Sequence, residues 1–407
     1  MNATVSSAPA ARVRTIARPD VFALAVFGFF WLEVISRLRF EWTVNPQYGY
    51  GWTVPFLAAY IFWRRWQSAP EPARPATTLW PALLIIAAAL CVIPVRLIQE
   101  ANPDWRILSW CLAFAAVAIS FAGIYLAGGT RWLRHFAFPV LFFLVAVPWP
   151  TQFEQAVIQG LMRAVAGINV EVLNAIGISA VQQGNVIELK SGLVGIDDAC
   201  TGVRSLQATF MVSLFLGEFY EFAIARRVLL VIVGACLAFL CNLVRTFLLV
   251  YIGAERGTEA IKSWHDPAGL TILMACLFGL WGVSMLMSRG SKTAPTQPNE
   301  SSRPAGFRIP RAIVIILLAL TVSAEAVTQV WYGVHEARAA RVEPWSVAWP
   351  TEATNWKPLP VAEQAQELLR YNDGGGGTWS GDDGRPRAWR IRRTRTWGES
   401  RRKRMQL

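Results

Sequence analysis

The stretch VLLVIVGACLAFLCNLVRTFLLVYI, residues 228–252, decides the fold class because it is apolar apart from a single charged residue, Arg245. A helix needs about 20 mostly apolar residues to cross a bilayer, and this run supplies them. Comparable runs cover 21–38, 52–63, 81–97, 107–127, 136–147, 199–216, 267–287 and 312–331. The sequence therefore predicts an all-α polytopic membrane bundle of about eight core transmembrane helices plus one C-terminal helix.

The composition agrees with a protein whose solvent is the bilayer. Hydrophobic residues make up 54% of the 407 positions and charged residues only 16%, with a mean hydropathy of +0.35. The net charge of +12 suggests nucleic acid as one possible partner. The positions of the basic residues argue against it, because they recur on one predicted side of the membrane. These inner positions are Arg12, Arg14, Arg18, Arg64, Arg65, Arg131, Arg134, Arg226, Arg227 and the segment 288–311.

This alternation follows the positive-inside rule and predicts a multi-pass membrane protein with a cytoplasmic N-terminus. The protein is then surrounded by lipid, and no nucleic-acid partner is expected. The chain is predicted to divide into a cytoplasmic N-terminus (1–20), a transmembrane domain (21–287), a cytoplasmic linker (288–311), a further helix (312–331) and a small outer segment (332–407). In that outer segment the four glycines 374–377 predict a turn, and 385–404 is strongly basic.

The longest predicted outer segment of the core lies between the fifth and sixth helices. Residues 153–176 have helical periodicity, which predicts a helix lying at or partly in the interface. Residues 181–193 alternate apolar and polar positions between glycines, which predicts a short strand or an extended hairpin. The chain therefore reaches the sixth helix from the outer surface.

One of the six cysteines stands apart from the others. Cys200 follows Asp197 and Asp198 at a polar-to-apolar boundary, whereas the other five lie in apolar runs, where cysteine behaves as a small hydrophobe. No CxxC or metal-ligand spacing occurs, so neither a metal nor another cofactor is predicted. The five cysteines in apolar runs are Cys91, Cys111, Cys236, Cys241 and Cys276.

Four polar groups are predicted to reach one depth at the outer face. Cys200 is expected to open the sixth helix there, with Arg204 on the same face about 6 Å away. Arg245 falls in the outer part of the seventh helix, and His265 falls at the outer start of the eighth. Cysteine catalysis needs a thiolate, a proton-transferring partner and donors for an oxyanion, and these residues are candidates for the three roles.

Each residue also has a structural interpretation. A boundary cysteine such as Cys200 is more often structural than catalytic, and His265 beside Trp264 fits an interfacial aromatic belt. Arg245 is harder to explain structurally, because a charge at the centre of a spanning helix costs about 2.5–3.5 kcal/mol on insertion scales. Asp197 and Asp198 are more typical of helix caps.

The segments Asp198-Ala-Cys-Thr-Gly-Val-Arg-Ser205, Asn242-Leu-Val-Arg245 and His265-Asp-Pro-Ala-Gly269 resemble the exosortase/archaeosortase family of polytopic membrane enzymes. The resemblance covers roughly residues 30 to 285. It includes Tyr48-Gly-Tyr-Gly51 and Pro148-Trp-Pro150. The family commonly has Ser where this chain has Thr201, and Ser-His where this chain has Gly49-Tyr50.

The resemblance implies a cysteine protease or transpeptidase with Cys200, Arg245 and His265 as its active site and Arg204 as a further motif arginine. The implied substrates are secreted proteins with a C-terminal signal made of a Pro-containing motif, a membrane helix and a basic end, in bacteria that make exopolysaccharide. The C-terminal segment resembles part of an exosortase-associated domain. An alternative hypothesis is a non-catalytic protein whose arginines bind an anionic lipid or a sugar phosphate during envelope polymer transport. A membrane thiol oxidase is disfavoured because Cys200 has no second outward cysteine in redox spacing.

Overall fold

The computed structural model describes residues 18–73, 75–103, 105–195, 202–257, 259–289, 309–338, 351–359, 373–380 and 386–393. Within them lie the helices α1 (Arg18–Val44), α2 (Val54–Gln67), α3 (Leu79–Ala101), α4 (Arg106–Phe142), α5 (Thr151–Ala175), α6 (Val203–Phe219), α7 (Ile224–Arg256), α8 (Glu259–Ser288) and α9 (Arg311–Arg338). Of these described helices, seven are long and apolar enough to cross a membrane, namely α1, α3, α4, α5, α7, α8 and α9. The prediction of an all-α polytopic membrane protein is confirmed.

Two small antiparallel sheets accompany the helices. The first contains β1 (Ala180–Gln183), β2 (Val186–Leu189) and β3 (Gly192–Gly195), which confirms the extended structure predicted before the sixth helix. The second contains β4 (Lys357–Pro358), β5 (Asp373–Ser380) and β6 (Pro386–Arg393).

The predicted turn at glycines 374–377 is wrong, because these residues lie inside β5. Gly374 pairs with Arg392 and Gly377 with Trp389 of β6. A strand ladder is made by backbone groups, so glycine can enter it wherever a partner strand is available. Here the partner strand is β6, which lies within the basic stretch 385–404.

The predicted second and sixth spans are short helices. α2 has 14 residues and α6 has 17. A 3₁₀ helix, Pro46–Trp52, precedes α2, and we call it the first-loop helix. The two short helices pack on each other, with the Tyr60 ring of α2 lying 6.2 Å from that of Phe215 in α6.

The predicted fourth and fifth spans are two arms of one bent element, α4. Gly128 and Gly129 leave the helical conformation there, with φ of −152° and +69°. The bend is closed by the N–H of Ala73, which donates to the carbonyl of Gly128 at 3.2 Å, while Trp132 donates to the carbonyl of Pro70 at 2.9 Å. Arg131 and Arg134, which fall between the two predicted spans, therefore lie on a helix beside a two-glycine bend.

The predicted interfacial helix is α5, which is also long enough to cross a membrane. One face of α5, including Ile158, Val165 and Leu173, packs in a core with the first sheet and the C-terminal half of α7. The sheet lies along the C-terminal half of α5, where Gln182 donates to the carbonyl of Arg163 at 3.0 Å. Open sheet edges do not occur in hydrocarbon, so this contact is consistent with the interfacial placement, which stays a prediction.

The chain forms two compact units, Met1–Ala89 with Trp105–Leu318, and Leu90–Asp104 with Ala319–Leu407. The second unit contains a buried ion pair between helices. Arg96 of α3, which is 3% exposed, donates from Nε to Glu325 of α9 at 2.6 Å. Nearby, the hydroxyl of Tyr332 donates to the carbonyl of Leu97 at 2.8 Å.

The packing of α7 on α8 can be tested with the cysteines that these helices carry. The side chains of Cys241 and Cys276 are neighbours across these two helices. A disulfide needs Cα atoms about 4.4–6.8 Å apart, and linking of these two cysteines would show that the helices approach this closely. In a variant that keeps only these two cysteines, we expect mild oxidation to link them, and mass spectrometry of the joined peptides detects the link. A variant that keeps only Cys236 and Cys276 is the control; equal linking in both would contradict the arrangement.

Candidate active site

The site is built around the buried face of α7. This face carries three polar residues, Asn242, Arg245 and Thr246, which are 2%, 7% and 2% exposed. Apolar and small residues precede them on the same face at helical spacing. Because several of these residues are small, other helices can pack closely on this stripe of α7. The stripe consists of Leu230, Gly234, Ala238, Asn242, Arg245 and Leu249.

On one side, the start of α6 lies against Asn242. A Cβ atom added at Gly202 would lie 2.6 Å from the Cγ atom of Asn242. Gly202 caps α6 with φ +76° and ψ 5°, a left-handed conformation that favours glycine. Glycine is therefore required here twice, for the backbone conformation and for the approach to α7.

On the other side, α8 lies against Arg245. A Cβ atom added at Gly269 would lie 3.3 Å from Nη2 and 3.6 Å from Cζ of Arg245. The guanidinium thus rests on the backbone of α8 where no side chain intervenes. His265 belongs to the same helix and precedes Gly269 by four residues, which is about one turn.

Of the predicted site residues, Cys200 lies outside the described residues. Arg204 lies in the first turn of α6 with an exposed side chain. The prediction that the sixth helix begins at 199 is wrong, since α6 begins at Val203. The left-handed backbone of Gly202 cannot continue a right-handed helix, so α6 begins directly after it.

His265 also differs from its predicted position. The eighth helix begins at Glu259, so His265 lies within α8 and not at its start. Pro267 lies inside the helix as well, and its carbonyl accepts the hydroxyl of Thr271 at 2.8 Å. The backbone position of His265 is therefore fixed by the helix, while its side chain lies outside the described part of the structure.

The chain on each side of the cysteine segment packs on α7, through the first sheet before the segment and through α6 after it. Val194 of β3 and Val203 of α6 pack in the same core as Leu249 and Val250 of α7. The hydroxyl of Ser191 donates to the carbonyl of Gly253 at 2.9 Å, so the sheet is also hydrogen-bonded to the end of α7. The segment 196–201 thus joins two parts that are both packed on α7.

The sequence analysis missed a buried carboxylate, Glu154, which is 4% exposed in the first turn of α5. It accepts hydrogen bonds from Gln47 Nε2 and from the Tyr48 hydroxyl, each at 2.6 Å, and from Arg106 Nη1. The guanidinium of Arg106 also lies over the Tyr48 ring, 5.2 Å from its centroid. The available signal was a carboxylate on the apolar face of a predicted helix, four residues before Ile158.

Burial, together with the Glu154 carboxylate, raises the pKa of the Tyr48 hydroxyl above its ordinary value. Tyr48 therefore stays protonated and keeps donating to Glu154 over the physiological pH range. In turn, the Tyr48 oxygen accepts the N–H of Trp149 at 2.9 Å. These bonds join the first-loop helix to the turn that begins α5.

The glycine contact between α6 and α7 leads to a prediction for Gly202→Ala. The new methyl group would clash with Asn242 and would strain the backbone, so we expect a loss of about 2–4 kcal/mol in stability, measured as the midpoint of thermal unfolding in detergent. Gly184→Ala is the matched control, because Gly184 has φ +67° but nothing within 4 Å of an added Cβ; it should lose only about 1 kcal/mol. Adding Asn242→Ala to Gly202→Ala should restore part of the loss; equal losses at Gly202 and Gly184 would contradict the contact.

Comparison with known proteins gives one family. The family model described as transmembrane exosortase matches residues 42–282, more than half of the chain. The matched region begins before the first-loop helix and ends within α8, so it contains all the contacts described around α7. Searches of curated proteins and of solved structures gave no match. The chain belongs to the transmembrane exosortase family, whose membership implies a membrane-bound protease or transpeptidase of the cysteine type.

Proposed function

We propose that this protein cleaves the C-terminal sorting signals of secreted proteins at the outer face of the bacterial inner membrane, with Cys200 as its nucleophile. The observation that carries the proposal is the double contact of α7, with Gly202 on Asn242 and Gly269 on Arg245. Consecutive Cα atoms are 3.8 Å apart, so the Cα atom of Cys200 lies within about 7.6 Å of that of Gly202. Chain connectivity and helix geometry thus support a common site for Cys200, Arg245 and His265.

In the proposed reaction, the Cys200 thiolate attacks the carbonyl carbon of the scissile peptide bond. The carbonyl oxygen becomes an oxyanion, and Arg245 stabilises it through charge-assisted hydrogen bonds. Collapse of this intermediate breaks the C–N bond, the leaving amine takes a proton from His265, and a thioester to Cys200 remains. An amine acceptor or water then attacks the thioester, gives a proton to His265 and releases the thiolate.

The surroundings favour the thiolate form of Cys200. Helix α6 begins at Val203, three residues after Cys200, and the positive N-terminal end of its helix dipole favours nearby negative charge. Arg204 in its first turn adds a cation, which supports its assignment as a helper residue. Asp197 and Asp198 oppose this effect when they are ionised nearby.

The charge distribution supports the proposed orientation. The end of α2 and the start of α7 form an ionic cluster in which Glu218 accepts from Arg65 and Arg227, each at 2.6 Å. This end, rich in arginine, is the proposed cytoplasmic end. The first sheet and the first-loop helix lie at the other end of the helices, which would then face the periplasm.

A sorting signal with a membrane helix would place its preceding peptide at the outer boundary, where the proposed site lies. Its basic end would stay in the cytoplasm by the same positive-inside rule. Such processing would serve the export of proteins in bacteria that make exopolysaccharide. This part of the proposal rests on the family resemblance of the motifs.

The nucleophile is tested by Cys200→Ala. We expect this variant to leave the C-terminal helix attached to a co-expressed substrate, as seen by a mass shift on immunoblots, because no other group replaces the thiolate. Cys236→Ala, at an exposed position of α7, is the matched control and should process normally. Cleavage of the substrate by the Cys200→Ala variant would refute the proposed mechanism.

The role of Arg245 is tested by comparing Arg245→Gln with Arg245→Lys. Loss of an oxyanion donor typically lowers kcat by about 10²–10³, and we expect this for Arg245→Gln, with a smaller loss for Arg245→Lys. Arg39→Gln, at an exposed position of α1, controls for loss of charge and should leave kcat unchanged. If Cys200→Ser is tolerated while changes at Arg204 and Arg245 abolish function, the anion-binding hypothesis replaces this one.

A further inference from the structure

Glu154 and its hydrogen-bond donors Gln47, Tyr48 and Arg106 form what we call the Glu154 network. This network holds the buried side of the first-loop helix in place. Besides the bonds of Tyr48, the Tyr50 hydroxyl donates to the carbonyl of Val145 at 3.0 Å. Gly51 presses on the indole of Trp42, since a Cβ atom at position 51 would lie 2.4 Å from that ring. The loop therefore has one well-defined position on this side, and Tyr50, which replaces a histidine of the family pattern, is part of its attachment.

Part of the first-loop helix is exposed. Gly49 is exposed, and Trp52 is 42% exposed with its ring held 5.5 Å from that of Trp42. The first-loop helix also packs against α6, the helix that begins just after the cysteine segment. An indole held in place next to an exposed glycine backbone is a surface suited to an extended peptide.

Stability alone does not account for the buried charges under this loop. Taking a carboxylate and a guanidinium out of water costs several kcal/mol each, and apolar residues of the same shape are often as stable or more so. What such a network supplies is a single geometry, because its hydrogen bonds are directional. The geometry that Glu154 fixes is that of the first-loop helix.

We infer that Glu154 is a positioning residue, which holds the first-loop helix as the wall against which the substrate's extended peptide segment lies, with Trp52 as the contact. This inference rests on the proposed function, because it takes the substrate to be a peptide that reaches the start of α6. It assigns Glu154 no contact with the reacting atoms. Glu154 affects the affinity for the peptide only by fixing the position of the first-loop helix.

Peptide affinity is measured in the Cys200→Ala protein, so that binding is separated from chemistry. The probe is a fluorescent synthetic peptide with an extended Pro-containing segment, an apolar helix and a basic end, reconstituted in the same nanodiscs. We expect Glu154→Gln to raise Kd about tenfold, since a displaced loop no longer presents its indole. Glu171→Gln, an exposed carboxylate on the same helix, is the matched control and should leave Kd unchanged.

A double-mutant cycle tests the route through the loop. Trp52→Ala should also raise Kd about tenfold, and adding Glu154→Gln should cause no further increase, because the contact that Glu154 positions is already gone. Should Glu154→Gln fail to fold, Tyr48→Phe removes one donor to Glu154 while keeping the ring, and an increase of about threefold is expected.

Several results would overturn the inference. These are an unchanged Kd in Glu154→Gln, multiplicative effects of Trp52→Ala and Glu154→Gln, or, with Cys200 present, a fall in kcat at constant KM. The expected kinetic result is a raised KM with kcat within about twofold of the parent. Processing by Cys200→Ala would refute the proposed nucleophile, while the Kd comparison would still decide the role of Glu154.

Discussion

The rest of the site depends on one constraint, which is that Arg245 is buried in the mostly apolar middle part of α7. A charge placed there is costly unless the surrounding protein covers it. The backbones of two neighbouring helices shield it. Gly269 of α8 lies against the guanidinium, and Gly202 of α6 lies against the neighbouring Asn242. A larger residue at either glycine would push a helix away and expose the charge to lipid, so the same glycines that permit packing also define where three motifs meet.

The two ends of the bundle are held by different interactions. At the arginine-rich end, Glu218 bridges Arg65 of α2 and Arg227 of α7, and Arg227 also donates to the carbonyl of Phe222 at 2.6 Å. This fixes the turn between α6 and α7, and therefore the register in which α6 runs back along α7. At the other end, Glu154 fixes the first-loop helix against the start of α5. The described chain that flanks the segment of Cys200 in sequence, β3 before it and α6 after it, packs on α7.

Hydropathy predicted most of the helices, and the cost of an intramembrane charge singled out Arg245, because both signals are local in sequence. The alternation in 181–193 likewise predicted the first sheet. The left-handed Gly202, which starts α6 at Val203, depends on the approach to Asn242, forty residues later, and no local pattern reveals it. The Glu154 network joins residues about a hundred positions apart, so its carboxylate could be noticed in the sequence, but its partners could not.

The same reasoning extends beyond the matched family region to α9. Arg96 of α3 is almost fully buried, and its guanidinium donates to both Glu325 oxygens, at 2.6 and 3.2 Å, and to Gln99 at 3.2 Å. Removing one partner of such a buried pair typically costs about 3–5 kcal/mol, because the other charge is left in a medium that cannot solvate it. A chain that carries Arg96 in α3 therefore needs a carboxylate from a neighbouring helix, and α9 supplies it. The charge of Arg96 therefore accounts for the packing of α9 on the second half of α3.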